Sequence, residues 1–145
     1  MTKTEFLVMY GELISYYQLI EMRLKGLCAG IIADDAKGWF KKLDEYQFDS
    51  FGLLIYKIKD FQKQNNTTVL ASKDIDTLDS IRELRNYWVH QCFVGKNSIV
   101  FNSRGILKNP EYAQKLKTSL DAVKEWDEKL TETFRSLRIQ PPTGD

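Results

Sequence analysis

His90 is the sole histidine of the chain, and so its sole imidazole able to give and take a proton near neutral pH. Its surroundings read Arg85-Asn86-Tyr87-Trp88-Val89-His90, which sets a guanidinium and a carboxamide within two turns of it on any helix. Arginine suits chemistry in which negative charge builds up, because its planar fork of donors stays charged and fixed in geometry. A multi-histidine metal centre is excluded within one chain, and no metal or cofactor is expected. The two cysteines, Cys28 and Cys92, have no CxxC spacing and suggest neither a disulfide framework nor a zinc ribbon.

The elements that must position these groups are helices. Phe6, Tyr10, Leu13, Tyr17, Ile20, Leu24 and Leu27 step alternately by four and three, which predicts a long amphipathic helix stopped near Gly30. Asp34–Tyr46 reads as a short helix or structured loop. Ser50 caps a third helix with Phe51, Leu54, Ile55, Ile58 and Phe61 inward, ending in the polar run Gln62–Thr68. Ser72 or Asp74 caps a fourth, through Ile75, Leu78, Ile81, Leu84 and Trp88. Ser98–Asn102 has the alternation of a small extended segment. Asn109-Pro110-Glu111 then opens a last helix whose buried stripe runs Tyr112, Leu116, Leu120, Val123, Trp126, Leu130, Phe134 and Leu137. The expected fold is all-α: four main helices in a bundle, with one or two short extra helices. Residues 1–139 form one domain and 140–145 a frayed tail.

Composition narrows the function classes. The chain has 145 residues, enough for one domain with a real core. Its 21 basic and 20 acidic residues leave a net charge of +1, against bulk attraction to nucleic acid or membrane. No apolar run approaches the ~20 residues that span a bilayer. The first residues, MTKTEFLVMYGELISYY, do not read as a secretory signal. The cytoplasm is therefore the expected location, with no membrane partner.

Arg85-Asn86, then three residues, then His90 resembles the motif of the HEPN superfamily: arginine, four to six residues, histidine, with a polar residue after the arginine. That resemblance implies a compact helical bundle, with the motif late in a long helix, and a homodimer with a composite site at its interface. Helix geometry agrees with the dimer. At about 100° per residue Asn86 and His90 lie roughly 40° apart, whereas Arg85 and His90 lie roughly 140° apart. Two copies across a two-fold axis bring two of each into one cleft.

The implied chemistry is metal-independent endoribonucleolytic cleavage of an RNA substrate. A histidine takes the proton of a ribose 2′-hydroxyl, an acid protonates the departing 5′-oxygen, and Arg85 stabilises charge on the phosphate. Asn86 orients His90 or binds phosphate, and Tyr87, on the polar side of the helix, is open to base stacking. Trp88 lies in the apolar arc and is assigned to the core. Small nucleases of this type serve as toxins or phage-defence effectors, which implies an antitoxin or nucleotidyltransferase partner. Some family members carry a modified tyrosine two residues after the motif histidine; this chain has Cys92, which argues against control by tyrosine adenylylation there. The alternative is a non-catalytic HEPN-like bundle binding a nucleotide, RNA or a partner protein.

One inconsistency in the hydrophobic pattern yields a further expectation. Leu84, Trp88, Ile81, Cys92, Leu78 and Val89 fill one arc of the fourth helix, and Arg85 projects inside it. Glu21 projects into the apolar stripe of the first helix, and Asp127 into that of the last. A buried guanidinium needs a carboxylate. An Arg85–Glu21 pair is therefore expected, in keeping with the acidic residue that often accompanies the motif on the first helix of HEPN-like domains, with Asp127 the second choice.

Overall fold

A computed structural model describes residues 1–33 and 35–136. Helix α1 spans Lys3–Ile32 and starts at a reciprocal cap. The Thr2 hydroxyl accepts from the Glu5 amide at 3.1 Å, and the Glu5 carboxylate accepts from the Thr2 amide at 2.8 Å. Phe6, Leu13, Tyr17, Ile20, Leu24 and Leu27 are buried along it and Tyr10 is half-buried, as the four-three spacing predicts. Gly30 does not stop α1. It lacks the positive φ of a left-handed terminal residue, and the helix leaves through an extended Ala33 instead. Helix α2 (Ala36–Tyr46) is capped by Asp35, whose carboxylate accepts from the Gly38 amide.

Helix α3 (Phe51–Asn65) begins at Ser50, whose hydroxyl accepts from the Leu53 amide. It ends where Asn66 turns left-handed at φ 48°, a conformation asparagine tolerates. The Gln62 side-chain oxygen then accepts from the amides of Val69 and Leu70, turning the chain toward helix α4 (Ser72–Asn86). Neither Ser72 nor Asp74 caps α4. Ala71 occupies the cap position without a side-chain hydrogen bond, and the Asp74 carboxylate is drawn to Lys129 at 2.6 Å.

After Asn86 the helix does not stop but widens into a π turn over Tyr87–Gln91. The following segment folds back as isolated antiparallel bridges, Phe101 with Leu107 and Thr2 with Ile106, so the extended piece near 98–102 is present in minimal form. Asn109 then caps helix α5 (Glu111–Ser136), its side-chain oxygen accepting from the Glu111 amide. Leu116, Leu120, Val123, Trp126 and Leu130 are buried along α5, with Tyr112 and Phe134 half-buried. Leu137 and the tail from Gln140 lie outside the described residues.

The result is an all-α bundle. Its most extensive pairing is α1 with α5; α2 and α3 lie on α1, and α4 contacts α3 and α5. At Gly26 the α1–α5 approach is close enough that an added Cβ would sit 3.0 Å from the Phe134 ring. Among the described residues no helix is long and apolar enough to cross a membrane.

Candidate active site

The motif residues lie where α4 gives way to the π turn. Arg85 and Asn86, both half-buried, close the regular helix; Tyr87 opens the π turn and His90 stands exposed within it. The turn is defined by the Cys92 amide, which donates to the Tyr87 carbonyl five residues back at 2.9 Å. Winding is then roughly 80° per residue instead of about 100°. The separation of Arg85 and His90 around the axis falls to roughly half of the α-helical 140°. A single chain thus turns the two side chains more nearly the same way than a regular helix would.

The widened turn is anchored on both sides. Trp88 is buried, as assigned from its place in the apolar arc, and its indole N–H donates to the buried Ser119 hydroxyl on α5 at 3.0 Å. Toward α1, the Tyr10 hydroxyl donates to the Trp88 carbonyl at 2.8 Å. The Cys92 thiol donates to the same carbonyl at 3.1 Å. Burial raises the Tyr10 phenol above its ordinary range, in keeping with its role as a donor. Val89 leaves the arc in which a regular wheel places it: 39% exposed, it joins Phe93 (46%) and Val94 (72%) in an apolar margin beside His90.

The expected ion pair does not form. The Asp127 carboxylate is engaged by Arg23 on α1, two residues beyond Glu21. Neither Glu21 nor Arg85 makes an ion pair among the described residues. The premise of a buried guanidinium fails, because Arg85 is only half-buried at the end of α4 and keeps access to water. Its charge is felt instead at Tyr17 on α1. Burial drives that phenol upward, and Arg85 is the opposing influence. The Tyr17 hydroxyl is buried without a hydrogen-bond partner among the described residues.

Tyr87 is half-buried, with the Lys115 ammonium of α5 3.4 Å from its ring centre. Arg85 of the motif and Lys115 beside it are two cations without a carboxylate partner among the described residues. Neither cysteine is poised as a nucleophile. Burial pushes the Cys28 thiol up to about 12 and the Cys92 thiol above its usual value. Among the described residues no three His, Cys, Asp or Glu side chains converge as a metal site would require. An open cavity of about 430 Å³, lined by Lys59, Gln62, Lys63, Thr67 and Ser72 among others, lies at the opposite end of α4 and contains no motif residue.

Sequence reasoning placed Arg85, Asn86 and His90 on one helix but missed the π turn, Tyr10 and Lys115. A faint signal existed: Leu84, Trp88 and Cys92 step by four and four, slower than the four-three alternation of α1. Comparison of the chain with models of known families, with curated proteins and with solved structures finds no match.

Proposed function

We propose that this chain is a HEPN-like endoribonuclease that acts as a homodimer without a metal cofactor, as a toxin or phage-defence effector in the cytoplasm. The carrying observation is the Arg85-Asn86…His90 motif, with the only imidazole of the chain exposed on the turn that ends a bundle helix. His90 of one copy takes the proton from a ribose 2′-hydroxyl, and the 2′-oxygen bonds to the adjacent phosphorus. The bond from phosphorus to the 5′-oxygen breaks, and that oxygen receives a proton from the second copy's imidazole. The products are a 2′,3′-cyclic phosphate and a free 5′-hydroxyl. Arg85 stabilises the charge on the non-bridging oxygens, and Asn86 orients His90 or holds the phosphate.

The dimer is supported by the exposed margin of Val89, Phe93 and Val94 around His90, which gives a second copy an apolar surface to cover. Lys115 adds a cation beside the cleft. An antitoxin, of nucleotidyltransferase type or another, belongs to the same reading as the partner that holds the nuclease in check.

The test is cleavage of single-stranded and folded RNA in the presence of EDTA, wild type against His90→Ala. Wild type should release cyclic phosphate ends, and the variant should lose roughly 10²-fold or more of that rate with its helical circular dichroism intact. Cleavage that survives the substitution sinks the reading. Binding of RNA without cleavage would point instead to the non-catalytic bundle.

A further inference from the structure

A π turn leaves a problem that an α-helix does not have. In an α-helix the Trp88 carbonyl would accept from the Cys92 amide four residues on. Here that amide is turned to the Tyr87 carbonyl, and the Trp88 carbonyl accepts from two side chains instead. One is the thiol of Cys92 itself, a weak donor. The other is the hydroxyl of Tyr10, seventy-eight residues earlier in the sequence and on a different helix, at 2.8 Å. Trp88 is fully buried, so water is a poor substitute for these donors.

We propose that Tyr10 is a positioning residue: its hydroxyl satisfies the carbonyl that the π turn vacates, and so holds the register that turns His90 toward Arg85. Several observations converge on it. The Tyr10 ring is fixed by an edge contact with Phe93, by Trp88 and by Phe6 in its own helix, so its hydroxyl is delivered from a packed ring. The Trp88 indole is anchored separately on Ser119, which pins the residue carrying the carbonyl. With the hydroxyl removed, the balance shifts to the α register, where the Cys92 amide reclaims the Trp88 carbonyl. His90 then swings back toward the wide separation from Arg85 of a regular helix. Tyr10 touches neither substrate nor the reacting atoms in this account.

The consequence for activity rests on the ribonuclease reading; the consequence for register does not, and the experiment separates them. Tyr10→Phe keeps the ring and removes only the donor. In isotopically labelled protein, scalar coupling across the hydrogen bond of the Cys92 amide reports which carbonyl it meets. Wild type should couple to Tyr87, and Tyr10→Phe should couple to Trp88. In the cleavage assay the same variant should lose kcat by roughly ten- to a hundredfold with KM little changed. Cys92→Ala, which leaves the Tyr10 donor in place, should keep the coupling to Tyr87 and most of kcat.

A Tyr10→Phe protein that still couples to Tyr87 overturns the proposal. So does one that changes register yet cleaves at the wild-type rate. If wild type cleaves no RNA, the ribonuclease reading falls and the coupling alone decides whether Tyr10 sets the register. Should Tyr10→Phe not fold, the wild-type hydroxyl proton of Tyr10 supplies the measurement. Slow exchange with solvent, with a cross-peak to the Cys92 amide region, supports the bond; exchange at the rate of a free phenol overturns it.

Discussion

The α1–α5 seam and the junction of α4 with its π turn both contribute to the core, the junction through Trp88, yet they are built on different rules. Along the seam, apolar side chains recur at helical spacing, and backbone hydrogen bonding is completed within each helix. At the junction the backbone falls out of α register; the Tyr10 hydroxyl completes what the ladder leaves open at the Trp88 carbonyl, and Ser119 holds the Trp88 indole. Regular packing needs only the right residue types at the right period. An irregular turn needs named partners in three dimensions, and its persistence therefore depends on a few contacts far apart in sequence. π turns recur at functional sites, and the one here carries the only histidine.

The sharpest way to break that contrast is at Trp88 itself. If the junction is as much a part of the core as the seam, Trp88→Ala should cost about 3–5 kcal/mol in urea unfolding, comparable with about 2–5 kcal/mol for Leu24→Ala on the seam. Val89→Ala, one residue on and turned outward, should stay within about 0.5 kcal/mol. A Trp88→Ala loss below about 1 kcal/mol would make the junction a peripheral appendage and remove the basis for a held register.

The helices were legible because burial imposes a period, and residues such as Leu13, Ile20, Leu24, Leu116 and Val123 obey it whatever else the chain does. Helix ends were less so. Gly30 and Ser72 are residues that favour ends, but Ala33 and Ala71 take those places, since local alternatives differ by only about 1 kcal/mol and tertiary contacts decide. The projection of Arg85 into an apolar arc failed at its outer members for a further reason. A wheel drawn at about 100° per residue cannot hold across a π turn, so Val89 was carried inward when it faces out. Asp127, expected as the second choice of partner for Arg85, pairs with Arg23 instead. Arg23 is only half-buried and sits outside the apolar stripe of α1, so the hydrophobic pattern does not mark it. No periodicity encodes a contact such as Tyr10 with Trp88, which exists only once α1 and the π turn meet in the folded chain.

That ion pair offers a smaller and more quantitative test. Arg23 and Asp127 join α1 to α5 across the seam, with 30% and 19% of their side chains exposed. Partial exposure screens the attraction and leaves solvent to compete, so the coupling energy of a double-mutant cycle with Arg23→Ala and Asp127→Ala should be below about 1 kcal/mol. It should shrink further as salt is raised. A coupling of several kcal/mol would mean that the seam, too, depends on a particular partner, and would erase the difference between seam and junction.

The smallest effect lies at the start of α1, where a cap rather than a packed side chain sets the boundary. Glu5 is fully exposed, and its carboxyl is held below its ordinary value of 4.5, first by the Thr2 backbone amide and then by the Thr2 hydroxyl. The unfolded chain has no such donors, so its Glu5 protonates first as pH falls. A carboxylate with a depressed folded pKa contributes its stability in full above the unfolded value and loses it as pH drops through the folded one. The advantage of wild type over Glu5→Gln should therefore be constant near neutrality and fade from about pH 4.5 downward. Thermal unfolding of both proteins between pH 6 and pH 3 (roughly the span over which carboxylates titrate) would show it. Because the Thr2 amide is held by a side chain that glutamine mimics, the neutral-pH difference should be small and salt-sensitive. A difference that grows on acidification would reverse the sign and place the stabilising proton on the folded state, which the geometry of the cap does not allow.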